Sequence, residues 1–150
     1  MSKKTVSGIM LVILSVVMSM SVFEIQPIDA APRTIIVPTH YPTISEAISF
    51  ANDGDTVYVL NGTYKEDYIR VDKSIKLVGE NKYSTIIEGS VMLVGNNIEL
   101  KHFNITKVFP QYSGGYAVLL HGSNVTIEDN IIPETAFLYI SLLLKILLIV

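Results

Sequence analysis

From Thr56 onward, apolar and polar residues alternate with a period of two in short bursts separated by Gly, Asn, Asp and Ser. Ile75 and Leu77, Ile98 and Leu100, and Val125 and Ile127 fall on one side of the alternation. Lys76, Glu99, Lys101, Thr126 and Glu128 fall on the other. Neighbouring side chains of a strand point to opposite faces, so the pattern predicts short strands with the first set turned inward. The expected strands are 34–38, 56–60, 68–71, 75–79, 85–89, 91–95, 98–105, 117–122 and 125–132.

The period changes once. Ile44, Ala47, Ile48 and Ala51 recur at i, i+3, i+4 and i+7, the spacing of one helix face. Thr43 and Glu46 make an S/T-x-x-E pair, so the Thr43 hydroxyl is expected to cap the helix and Glu46 to reach back. Asn52-Asp53-Gly54-Asp55 ends it, with Gly54 free to take a positive φ.

The segment 90–105, SVMLVGNNIELKHFNI, overlays 117–132, AVLLHGSNVTIEDNII, without a gap. Val91 meets Val118, Leu93 meets Leu120, Gly95 meets Gly122 and Asn97 meets Asn124. Ile98, Leu100 and Ile105 meet Val125, Ile127 and Ile132. Self-similarity at such a period marks a repeat architecture. Each period holds two expected strands and no helix, which excludes helical repeats. A coil of about 23–27 residues made of short strands is a parallel β-helix, each coil lying on the next at the β spacing of about 4.8 Å. A β-sandwich also has many short strands, but it predicts no such self-match. An open stack of coils leaves an unpaired edge at each end, and the helix 43–51 is placed to cover the first.

Composition bears on the ends and on compartment. Lys3 and Lys4, the apolar run Gly8–Phe23 and the small-residue exit around Ala30 read as an export signal spanning 1–30. Ile28 is bulky for the position before cleavage, so an uncleaved anchor is the alternative. The chain is therefore expected outside the cytoplasm, secreted or at the cell surface. Residues 31–150 carry nine basic and twelve acidic residues, which argues against a nucleic-acid partner. The chain has no cysteine, so neither disulfides nor thiolate zinc can supply rigidity. The expected coil occupies 31–132. The apolar tail 133–150 breaks the repeat and is shorter than the ~20 residues of a spanning helix. It reads as the product of a truncated or frameshifted frame, as a membrane anchor, or as a cap on the open end. Either apolar terminus offers a route to membrane association.

The run YPTISEAISFANDGDTVYVLNGTYKEDYIRVDKSIKLVGENKYSTIIEGS (41–90) resembles the opening of the pectin lyase-like superfamily. The resemblance lies in the helix before Gly54-Asp55-Thr56, in GTYKE (62–66), and in IKLVGEN leading to TIIEG. It covers roughly 41–132 and is nearest to pectinesterases and to the repeat-rich surface proteins of archaea and bacteria. It implies an all-β fold: a right-handed parallel β-helix (solenoid) fragment with an N-terminal amphipathic capping helix. Pectinesterase-like enzymes use paired aspartates, an arginine and glutamine donors. Residues 31–150 offer one glutamine, Gln111, and two arginines, Arg33 and Arg70, and the paired-aspartate motif is not visible. The expected function is a non-catalytic β-helix module with a structural or glycan-binding role, and its expected partner is a polysaccharide or surface glycan. The alternative is a truncated pectinesterase- or pectate-lyase-like enzyme lacking its catalytic turns. No catalytic, cofactor or metal residue is assigned; copper would want a Met/His cluster, and Met92 is the only methionine of 31–150.

His102 and Asp129 occupy matching repeat positions and are candidates for a glycan contact, or simply for two turn residues at strand ends. Tyr64 and Tyr68, with the other tyrosines, are candidates for sugar stacking. His121 matches Val94 and is expected on the core side. His40 is expected in a loop. Asn61, Asn104 and Asn124 each open an Asn-x-Thr glycosylation pattern, and Asn61 lies in an expected turn.

Overall fold

The computed structural model describes residues 31–107, 115–132 and 139–140. The expected export segment 1–30 and most of the tail 133–150 lie outside them. The described chain is a parallel β-helix of about three coils with one short helix at its start. Three sheets form its walls. The first wall stacks β1 (Thr34–Val37), β2 (Thr56–Val59), β5 (Lys76–Gly79), β8 (Glu99–Lys101) and β11 (Thr126–Glu128). The second stacks β3 (Gly62–Tyr64), β6 (Thr85–Glu88) and β9 (Asn104–Lys107). The third stacks β4 (Tyr68–Val71), β7 (Ser90–Leu93), β10 (Val118–Leu120) and β12 (Tyr139–Ile140). All pairings are parallel.

The 27-residue self-match is a physical register. Val91 pairs with Val118 and Leu93 with Leu120; Leu100 pairs with Ile127. The same rungs continue downward at other spacings, Leu77 under Leu100 and Val57 under Leu77. The coils therefore differ in length while their walls stay aligned, save for a one-residue bulge at Thr106 in the second wall. Inward residues form columns with essentially no exposure: Ile35, Val57, Leu77 and Leu100 in the first wall, Tyr64, Ile87 and Ile105 in the second, and Val71, Leu93 and Leu120 in the third. Burying apolar area contributes roughly 25 cal/mol per Å², and these columns are the bulk of it. The outward set is as expected: Lys76, Glu99, Lys101 and Glu128 form a ladder of ion pairs across three coils. Such solvent-facing pairs contribute little stability, about 0–1 kcal/mol each.

Three features differ from the sequence reading. Each full coil has three strands rather than two: GTY is a strand of its own in the first coil, and 98–105 divides into β8 and β9 in the third. The runs 98–105 and 125–132 are not single strands. His102 and Asp129 take φ of 64° and 51° and turn the chain into the next wall, as Asn97 and Asn124 (54° and 52°) do one corner earlier. Asn, Asp and His tolerate this left-handed conformation better than other side-chain-bearing residues, so the corners stack in pairs 27 residues apart. Finally, the stack does not stop at Ile132: Tyr139 and Ile140 add to the third wall beside Leu119 and Leu120.

The helix α1 (Ile44–Phe50) lies over the first coil, burying Ile44, Ala47 and Ile48. The Thr43 hydroxyl accepts from Glu46 N at 3.2 Å, as expected. The other free N–H groups are taken not by Glu46 but by Glu66, whose carboxylate accepts from Ile44 N and Ser45 N at 2.6 and 2.9 Å. At the opposite end Lys73 Nζ donates to the carbonyls of Ile48, Ser49 and Ala51 at 2.9, 2.7 and 2.7 Å. A helix end attracts opposite charge and leaves unpaired groups; residues of the first coil and of the corner after it meet both needs. Gly54 closes the exit at φ 89°.

Candidate functional site

The corner between the first and second walls differs from coil to coil. In the third coil it is two residues, His102 and Phe103; in the second it is five, Glu80–Ser84. The longer loop stands out from the stack, and it is shaped by Asn81. The Asn81 carbonyl accepts from Ser84 N and Thr85 N, and its side-chain oxygen accepts from Tyr83 N at 2.8 Å, a turn in which the side chain imitates backbone. Glu80 ties the loop downward by accepting from Asn61 N at 2.8 Å.

The loop's outer residues reach upward. Lys82 Nζ passes His102 of the next coil and bonds the Asp129 carboxylate two coils on. His102 Nε2 lies 3.5 Å from the other oxygen of the same carboxylate. Asp129 is held in place by its neighbour. The Asn130 side chain accepts from Phe103 N and donates to the carbonyls of Leu100 and Glu128, each at 2.9 Å. Between loop and corner column lies an open cleft of about 210 Å³, lined by Glu80, Asn81, Lys82, Tyr83, His102 and Asp129. Tyr83 is 73% exposed, with Lys82 Nζ 5.5 Å from its ring centre.

The electrostatics follow from the Lys82 bond. It holds the Asp129 carboxyl below its ordinary value, with a smaller contribution from His102, and the same bond raises the Lys82 ammonium. Both groups are therefore charged at neutral pH and committed to each other. Such a cleft has donors, acceptors and an aromatic wall, and its one ammonium is already paired with Asp129.

The four candidate contact residues do not converge. His102 and Asp129 meet, in register and in contact. Tyr64 turns inward: it is 9% exposed, its hydroxyl donates to the Leu60 carbonyl at 2.8 Å, and burial followed by the charge of Glu80 raises its pKa. Its ring fills core space rather than offering a stacking face. Tyr68 lies on the outer side of the third wall, its hydroxyl on the Met92 sulfur. His121, expected on the core side, is exposed; the strand ends at Leu120 and the chain has begun its corner. His40 lies in a turn, its Nδ1 accepting from Ile36 N at 3.0 Å.

Of the glycosylation candidates, Asn61 is exposed in a turn, its side-chain oxygen accepting from Ser84 Oγ at 2.7 Å. Asn104 opens β9 and is half-buried. Asn124 uses its side-chain amide to bond Asn97 at 2.6 Å.

Sequence reasoning passed over Lys82 and Glu80. The available signal was the length of the interval between IKLVG and TIIEG, set against the two residues that separate the corresponding strands one coil later.

No family model, curated protein or solved structure matches the chain. Among the described residues no cluster of metal-binding side chains is present, and no helix is long and apolar enough to cross a membrane.

Proposed function

We propose that the chain is an exported β-helix module, akin to the pectin lyase-like proteins, that binds glycan and performs no chemistry on it. The observation that carries this reading is the cleft beside Tyr83. An exposed aromatic ring stands next to polar groups fixed by their own hydrogen bonds, an arrangement suited to hold a polyhydroxylated ligand. Asp129 and Lys82 are spent on each other: an acid or base catalyst needs a proton to give or take near neutral pH, whereas Asp129 is a carboxylate pinned by Lys82, and the Glu80 carboxylate is engaged by the Asn61 N–H. Export rests on the N-terminal segment, and kinship on the motifs of 41–90.

The test pairs binding with turnover. The purified protein is titrated with a panel of neutral and acidic oligosaccharides and incubated with methyl-esterified pectin and with polygalacturonate. Saturable binding abolished by Tyr83→Ala, without methanol release or unsaturated product, is the expected result. Turnover by the wild-type protein would overturn the proposal, with its loss or survival in Asp129→Asn telling whether this cleft carries it, as would the absence of binding to every glycan.

A further inference from the structure

We infer that the Tyr83 cleft takes a single neutral sugar ring in preference to a uronate; this rests on the glycan-binding reading above and narrows it to a ligand class. Size sets the first limit. At about 210 Å³ the cleft is smaller than the roughly 300–1,000 Å³ of pockets that enclose drug-sized ligands. It has room for one ring of a chain, whose neighbours would lie on the open surface.

Charge sets the second. Glu80 and Asp129 bring two carboxylates and Lys82 one ammonium. That ammonium is already bonded to Asp129 and stands over the Tyr83 ring. A sugar carboxylate entering the cleft would face an excess of negative charge. It would gain a cation only by taking Lys82 from Asp129, leaving that carboxylate with the His102 imidazole beside it. A neutral ring meets no such competition: its hydroxyls donate to the outward lone pairs of Asp129 and accept from Lys82, while the pair stays intact.

The third limit is the platform. The C–H face of a pyranose is apolar and weakly positive, which suits the negative face of an aromatic ring. Tyr83 supplies that ring on a loop held by Asn81 and Glu80. Little conformational freedom is then lost on binding.

The experiment uses the isotopically labelled full chain. Amide shifts are followed during titration with glucose, galactose and mannose in one series and with glucuronate and galacturonate in another. The expected result is perturbation of residues 80–84, 102 and 129 by at least one neutral sugar. Uronates should bind about tenfold more weakly or worse, and Tyr83→Ala should weaken neutral-sugar binding by about tenfold or more. Tyr83→Phe keeps the ring and should retain binding, with unchanged thermal melting certifying both variants as folded. Tighter binding of a uronate at the same residues would overturn this inference and leave the glycan reading standing. Binding unaffected by Tyr83→Ala would remove the platform. Failure of every sugar, neutral or acidic, to move these residues would overturn the glycan reading itself.

Discussion

Gly122 sits so closely over Gly95 that a Cβ added to Gly122 would stand 1.8 Å from the Gly95 carbonyl oxygen. The obstacle is backbone, which cannot swing aside as a side chain can. Gly95 in turn sits against the backbone of Asp72 and Lys73, so the corner stacks chain on chain with no room between. Gly122→Ala is expected to destabilise the protein by about 1–3 kcal/mol through overpacking. A lowered urea midpoint, with faster amide exchange in the 118–128 coil than in β2 and β5, checks it.

Lys73→Met keeps the length of the side chain and removes its charge. The carbonyls of Ser49 and Ala51 then lose the Lys73 donor, and that of Ile48 keeps only the Ala51 N–H. The expected loss is about 1–2 kcal/mol, the scale of a well-placed cation at a helix C-terminus. Hydrogen exchange should accelerate in α1 while β5 and β8 keep their protection, because the damage lies on the cap.

Asp55 links the cap to β1. Its carboxylate is buried, 2% exposed, and accepts from Arg33 N, Arg33 Nε and Asn52 N at 2.9, 3.0 and 2.8 Å. Burial alone would raise its pKa; the bonds from Asn52 and Arg33 outweigh it and hold the group below the ordinary value. A depressed carboxylate stabilises the fold above its unfolded pKa, about 3.9, and the contribution fades as pH falls through the folded value. Asp55→Asn should lower stability near neutral pH by about 1.5–3 kcal/mol, the scale of hydrogen bonds to a charged group. It should also narrow the gap to wild type as pH drops below about 4. Comparing the two denaturation profiles separates Asp55 from Glu99 and Asp129, whose carboxyls are also held low. A gap that widens toward low pH would refute the assignment.

Leu100 is fully buried, with Leu77 below and Ile127 above. Leu100→Ala should cost about 2–5 kcal/mol. Ile127 belongs to the same column but is only partly buried, so Ile127→Ala should cost less. Equal losses in chemical denaturation would contradict a column that thins toward the last described coil.

The walls of this fold were legible because they depend on local alternation and on a repeat that any pairwise overlay of the sequence reveals. Leu93 under Leu120 could be read from spelling alone. The helix was legible for the same reason, yet its fasteners were not: Glu66 and Lys73 lie about two dozen residues away along the chain, and nothing in their neighbourhood marks them as partners of α1. At the candidate site the in-register pair His102 and Asp129 followed from the repeat. Lys82 did not, since it joins Asp129 from 47 residues away through a loop that interrupts the repeat. Tyr64 illustrates the opposite failure. A tyrosine in a turn-rich stretch looks like surface, but the period-two pleat of β3 and the carbonyl of Leu60 draw it inside.

The spacing between stacked rungs of the first wall grows from Val57 to Leu77, from Leu77 to Leu100 and from Leu100 to Ile127. The inward columns persist because the extra residues of the second coil sit in the bend Glu80–Ser84, and Thr106 is taken up as a bulge in the second wall. The architecture thus separates two kinds of change: substitutions along the walls and at the packed Gly95/Gly122 bend are judged by volume and polarity, whereas extra length is accommodated at an open bend such as Glu80–Ser84. A lineage built this way can experiment with recognition by lengthening one bend at a time, with the rest of the molecule serving as an unchanging frame.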